Sequence, residues 1–178
     1  MLDSGTVRVF HEGVSSHPLN KNFRFDVETV ENLNFDVVFH IHQNLLTEAL
    51  TSVCKHFERS VLNVTVKCLN VSANFSELGK SDNVILTTIL EENGDRKTRF
   101  YNSRLLHSEK LVLYMRLKSE RLASGTKGDD FSRALFTTLS EVLRSKFQLT
   151  LPIPKNLRME NLQAVFGSDR LALVGNLK

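Results

Sequence analysis

Residues Asn44–Ser60 read NLLTEALTSVCKHFERS. Apolar side chains recur at Leu45, Leu46, Ala49, Leu50, Val53, Cys54 and Phe57, the i, i+3, i+4, i+7 spacing of one buried helical face. Thr47, Glu48, Thr51, Ser52, Lys55, His56 and Arg59 fall on the other face. Asn44 can cap the start by accepting from a free first-turn amide. Lys55, His56 and Arg59 suit the negative end of the helix dipole. The spacing therefore predicts a helix over Asn44–Ser60, and its apolar stripe needs a sheet face to cover it.

Strand patterns lie on both sides of this helix. Thr6–Phe10 alternates briefly. Phe23, Phe25 and Val27 alternate with Arg24, Asp26 and Glu28; Phe35, Val37, Phe39 and Ile41 alternate with Asp36, Val38, His40 and His42. The short link between these two runs predicts an antiparallel hairpin that feeds the helix. Beyond the helix, Val61–Ser72 reads as one long strand with Leu62, Val64, Val66 and Cys68 on one face. Its phase then slips at Leu69 and Val71, which predicts a bulge or a strand end. Val84–Leu90 and Thr98–Tyr101 flank Asn93-Gly94, a pair suited to the two positive-φ positions of a type I′ turn.

Lys110–Lys118 is a further strand, with Leu111, Leu113, Met115 and Leu117 on one face. Ser119–Gly128 reads as a loop. Asp129 or Asp130 caps a second helix, Phe131–Lys146, whose buried stripe is Phe131, Leu135, Leu139, Val142 and Leu143. Two readings fit the final stretch. Leu162–Leu177 is a hairpin turning at Gly167-Ser168-Asp169, which we favour, or Leu157–Phe166 is a short helix followed by a strand.

Runs of strands joined by short turns imply antiparallel pairing. The expected fold class is α+β: a mainly antiparallel β-sheet with two amphipathic helices packed on one face. Residues 1–155 form a single domain in this reading. Residues 156–178 are an apolar segment that either completes the core or docks on a partner through Leu162, Val165, Phe166, Leu171 and Leu173.

The 178 residues, 41% of them hydrophobic, suffice for one real core. No apolar run reaches the ~18 residues of a membrane-spanning helix, and the first residues do not resemble a secretory leader. Asn63, Asn70 and Asn74 each begin an Asn-x-Ser/Thr sequon. These matter only in a secreted chain, and without a leader they read as chance in an Asn-rich stretch. Cys54 and Cys68 make no disulfide framework, and each falls on an apolar face, so buried free thiols are expected. An intracellular protein, cytoplasmic or nuclear, follows.

Residues 1–91 hold 7 Lys/Arg and 11 Asp/Glu, a net of −4; residues 92–178 hold 16 and 9, a net of +7. Arg96, Lys97, Arg99, Arg104, Arg116 and Lys118 form a candidate basic binding surface interleaved with Phe100, Tyr101 and Tyr114. Basic strands with aromatics can track a phosphate backbone and stack bases. No nucleic-acid motif accompanies them, so nucleic acid is a possible partner but not the favoured one.

His40 and His42 share a strand face with Asp36 and could hold a metal, but no third ligand has a defining spacing, and open-face polar residues explain them as well. Glu91, Glu92 and Asp95 cluster at the Asn-Gly turn, where solvated charge is the ordinary reading. Phosphate-loop, dinucleotide, nucleophile-elbow and zinc-protease signatures are all lacking. The expectation is a non-enzymatic interaction module, a subunit or scaffold of a larger intracellular complex, with one or more protein partners and no cofactor or metal. The alternative is a nucleic-acid-associated accessory protein using the basic second half, and an unrecognised enzyme is the less favoured third reading.

Overall fold

The computed structural model describes residues 36–75, 84–108, 111–151, 158–166 and 170–178, with the backbone alone at 165–166. The strand expectations at Thr6–Phe10 and Phe23–Val27 lie outside the described residues. The elements run β1 (Val37–His42), α1 (Gln43–Lys55), β2 (Glu58–Val61), β3 (Val64–Phe75), β4 (Val84–Glu92) and β5 (Asp95–His107). They continue as β6 (Val112–Glu120), α2 (Asp130–Lys146), β7 (Leu149–Thr150), β8 (Met159–Phe166) and β9 (Arg170–Leu177).

One antiparallel sheet has the order β2-β3-β4-β5-β6-β7 and a second has the order β1-β9-β8. Both helices pack on the same face of the six-stranded sheet, as the α+β reading expects. Leu46, Leu50 and Cys54 of α1 and Leu143 of α2 join Val71, Leu86, Tyr101 and Leu117 of the sheet in one buried cluster. Each fully buried leucine contributes about 1.5–3 kcal/mol relative to its exposed state.

Helix α1 stops at Lys55, short of the expected Ser60. The last turn tightens as His56 N donates to Val53 O (3.3 Å) and Phe57 N to Cys54 O (3.0 Å). Residues 58–61 then pair with 64–67, so the end of the expected helix is a strand, Leu62-Asn63 is a turn, and the strand expected over Val61–Ser72 is β3, which starts at Val64 and runs to Phe75. Both turn residues have positive φ, 46° and 65°. The cap also differs from expectation. His42 is the N-cap, and its Nδ1 accepts from Asn44 N at 3.1 Å.

Strand β2 covers only the first part of β3. Farther along, α1 satisfies the exposed edge with side chains: Thr47 Oγ1 accepts from Ala73 N (3.0 Å) and Gln43 Oε1 accepts from Phe75 N (3.2 Å). A helix laid along a sheet edge in this way blocks further strand addition there.

The expected phase slip at Leu69 is a bulge: Cys68 pairs with Leu90, Asn70 with Ile89, and Leu69 is left between them. Side chains alternate strictly along a strand, so one extra residue exchanges the faces. Val71, Ala73 and Phe75 turn into the core, while Asn70, Ser72 and Asn74 turn outward. The Asn93-Gly94 turn is as read, with φ of 49° and 87°, and Asn93 Oδ1 accepts from Thr65 N at 2.9 Å.

Helix α2 begins at its expected cap. Asp129 accepts from Ser132 N at 2.7 Å. That hydrogen bond holds the Asp129 carboxyl below its ordinary value. Its stabilising contribution is complete above the unfolded aspartate value of about 3.9 and is lost as pH falls through the lower folded value. Thermal melts of wild type and Asp129→Ala should differ by a constant amount at higher pH, and the gap should close only in strong acid.

The C-terminal segment is the favoured hairpin, β8 paired antiparallel with β9; its turn at 167–169 lies outside the described residues. Strand β9 also pairs with β1, over Arg170–Gly175, and Leu171 and Leu173 join the main cluster beside Ile41. Gly175 makes the β8–β9 packing possible, since a Cβ there would stand 2.8 Å from Met159 Cε and 3.0 Å from Leu162 Cδ2.

Candidate functional site

The six basic candidates do not form one surface. Along β5, Arg99 shares the inward phase of Tyr101, Ser103 and Leu105. It is taken up by an internal network. Arg99 Nε and Nη2 donate to the two Glu92 carboxylate oxygens at 2.6 and 3.2 Å. Arg99 Nη1 donates to Glu120 Oε1 at 2.9 Å and to Ser132 Oγ at 3.0 Å. Its guanidinium lies 5.5 Å from the centroid of the Phe131 ring. The side chains of Arg99, Glu92 and Glu120 are 15%, 10% and 11% exposed, so the trio is nearly out of water.

Burial alone would lower the Arg99 value, but the hydrogen bonds to Glu92 and Glu120 outweigh it and hold the cation above its ordinary value. Ser132 and Phe131 lie in the first turn of α2. A lone cation there would oppose the helix dipole, whereas two carboxylates around one guanidinium leave a net negative cluster that suits it. This arrangement clamps α2 to β4, β5 and β6. Glu92, expected among solvated charges at the hairpin tip, is part of that clamp.

Arg96 and Arg104 lie on the outer face of β5 and are exposed. Arg96 faces Glu91 in register, whereas Arg104 faces Arg116, which is also exposed. Like charges directly opposite one another are unfavourable unless solvent or a counter-ion screens them. Lys118 is skipped at the β5–β6 register shift and is exposed. Lys97 lines an open hollow with Phe100, Arg121 and Leu122.

Of the docking candidates, Leu171 and Leu173 are 1% and 0% exposed. The chain's own core has claimed them, and they are not available to a partner. Leu162 is half-buried, and the side chains of Val165 and Phe166 lie outside the described residues. His42 is engaged as the α1 cap, and Asp36 Oδ2 accepts from Leu177 N at 3.0 Å. Among the described residues no group of three His, Cys, Asp or Glu could hold a metal, and no helix is long and apolar enough to cross a membrane.

The cysteines correct the sequence reading. Cys54 at the end of α1 and Cys68 at the β3 bulge form a disulfide, with Cα atoms 5.2 Å apart, rather than two free thiols. Two inward faces, one on a helix and one on the strand it covers, bring the sulfurs together. Beside the disulfide, where α1 and α2 meet the sheet, is a cavity of ≈ 50 Å³ lined by Leu50, Val53, Leu86, Tyr101, Leu139 and Leu143 among others. That is a packing void and not a pocket for an organic ligand, which needs about 300 Å³ or more. Tyr101 is fully buried, its hydroxyl has no hydrogen-bond partner among the described residues, and burial raises its ionisation well above the usual phenol value.

No protein-family model matches the chain, and no curated protein matches it. Among solved structures it is similar to a crystal structure of lipopolysaccharide binding protein, with 11% identity and a TM-score of 0.32 over 96% of this chain. The chain spans about half of that structure, 47% of its length, and a superposition this loose carries no argument about function.

Proposed function

We propose that this chain is a non-enzymatic protein–protein interaction module, a subunit or scaffold of a larger assembly, and that it receives a partner's strand at β8. One observation carries this reading. Among the described residues, β8 pairs on one side only, with β9. The other described edges are guarded. Strand β2 is short and holds Glu58 and Arg59, β7 is two residues long and the part of β6 beyond it carries Arg116 and Lys118, and α1 closes β3. Strand β8 has no Lys or Arg; its one charge, Glu160, and its register shift between Glu160 and Gln163 lie in its first half, so the segment open to an added strand is Gln163–Phe166. Strand β1 is the other outer strand of its sheet, but the sequence pattern assigns it a hairpin partner at Phe23–Val27. Added strands gain affinity from main-chain hydrogen bonds and specificity from alternate side chains. The carboxylates Glu92 and Glu120 are both ion-paired to Arg99, which leaves them poorly placed for acid–base work.

The test is affinity purification from native cells at two salt concentrations with nuclease, followed by cross-link mapping. A stoichiometric protein that survives both treatments and cross-links to residues 158–164 is the expected result. A second reading, nucleic-acid association, is supported by the exposed Arg104–Arg116 pair. Recovery of nucleic acid that is lost at higher salt, and weakened by Arg104→Ala/Arg116→Ala, would replace the first reading with it.

A further inference from the structure

We propose that Asn63, Asn70 and Asn74 are N-glycosylated, in the same oxidising secretory compartment in which Cys54 and Cys68 pair. The sequons alone carry little weight; the structure adds three independent features. First, the cysteines are bonded, and stable protein disulfides belong to secreted, lumenal or cell-surface proteins. This reverses the ground on which a cytoplasmic or nuclear site was expected. Second, all three asparagines are exposed, although they lie on or beside a strand whose other face is core. Asn63 sits in the β2–β3 turn with φ of 65°. Asn70 and Asn74 owe their outward position to the Leu69 bulge; in unbroken alternation with Val66 and Cys68 both would point at the helices. Asn70 Oδ1 accepts from Val71 N at 2.9 Å, while a glycan attaches through Nδ2.

Third, the outer face beside them has apolar surface to cover. Asn70 faces Ile89 and Asn74 faces Ile85 in register, both half-buried, and Phe100 on the next strand is 43% exposed. Oligosaccharides at these positions shield that stripe from association. They leave β8, in the other sheet, outside the shielded strand, so this inference stands or falls separately from the strand-addition reading.

The chemistry needs two co-reactants. Asn Nδ2 attacks the anomeric carbon of an oligosaccharide activated as a lipid diphosphate. An N–C bond forms, the C–O bond to the diphosphate breaks, the amide loses a proton and the lipid diphosphate leaves. The two thiols lose two protons and two electrons to an oxidised dithiol carrier, which becomes its dithiol.

The experiment takes the full chain from its native cells. We expect peptide N-glycosidase to increase its gel mobility and to convert Asn63, Asn70 and Asn74 to aspartate by mass spectrometry. Alkylation without reduction should leave Cys54 and Cys68 unmodified. In the same cells, Asn63→Gln, Asn70→Gln and Asn74→Gln should each remove one mobility step. Thr65→Ala and Ser72→Ala should remove the steps of Asn63 and Asn70 with those asparagines intact, which ties the loss to the sequon and not to misfolding. A native chain with unmodified mass and no response to the glycosidase, or with alkylated free thiols, overturns the proposal.

Discussion

Cys54→Ala/Cys68→Ala should lower the unfolding free energy by about 3 kcal/mol, the loop-closure value for a bridge of this span. The two cysteines are 14 residues apart. The expected loss is a large share of the ~5–15 kcal/mol that holds a typical domain together. It should appear in urea as a lower midpoint. The slope should also steepen, because a chain without the cross-link exposes more surface when unfolded. Reducing the wild-type protein should reproduce the shift, which separates the lost bridge from the small void that alanine leaves beside Leu50 and Val53. The damage should also be local. Ala73 and Phe75 donate their amides to Thr47 and Gln43 of α1, and the disulfide anchors the far end of that helix on the same strand. Hydrogen exchange at these two amides should quicken first. A reduced protein with an unchanged midpoint and unchanged protection there would show that packing alone seats the helix.

Local signals in this chain were legible where the physics is local. The α1 stripe, the Asn93-Gly94 turn, the Leu69 phase slip and the Asp129 cap each depend on a few neighbouring residues, and each is present. The α1 stop was missed because Phe57 remains buried and so fits a helical stripe and a strand entry equally well. The disulfide is not legible locally, because Cys54 and Cys68 each fit a core position on a separate element. Its signal was nonetheless present, since adjacent elements with inward-facing cysteines oppose one another. The β1–β9 pairing joins residues more than a hundred positions apart, and no local pattern encodes that partner. For the candidate site, Arg99 was counted with its basic neighbours. Its phase with Tyr101, Ser103 and Leu105 already separated it from Arg96 and Arg104.

Arg99→Met should therefore cost stability and not binding, by about 3–5 kcal/mol. Removing one partner of a buried ionic network strands the others without compensation. Here two carboxylates, each about a tenth exposed, would face each other across the first turn of α2 with no cation between them. A surface arginine would behave otherwise, since exposed pairs are worth at most about 1 kcal/mol and screen readily in salt. The decisive comparison is the triple variant Arg99→Met/Glu92→Leu/Glu120→Leu. Replacing a whole buried network with apolar side chains of similar volume is often neutral or stabilising. The triple variant should accordingly recover most of the loss that the single variant shows in urea unfolding. Recovery would assign Arg99 to the clamp that fixes α2 on the sheet. If Arg99→Met instead left the midpoint in place and weakened an interaction with nucleic acid or an acidic partner, the guanidinium would belong to a binding surface, and the inward phase of β5 would have been misread.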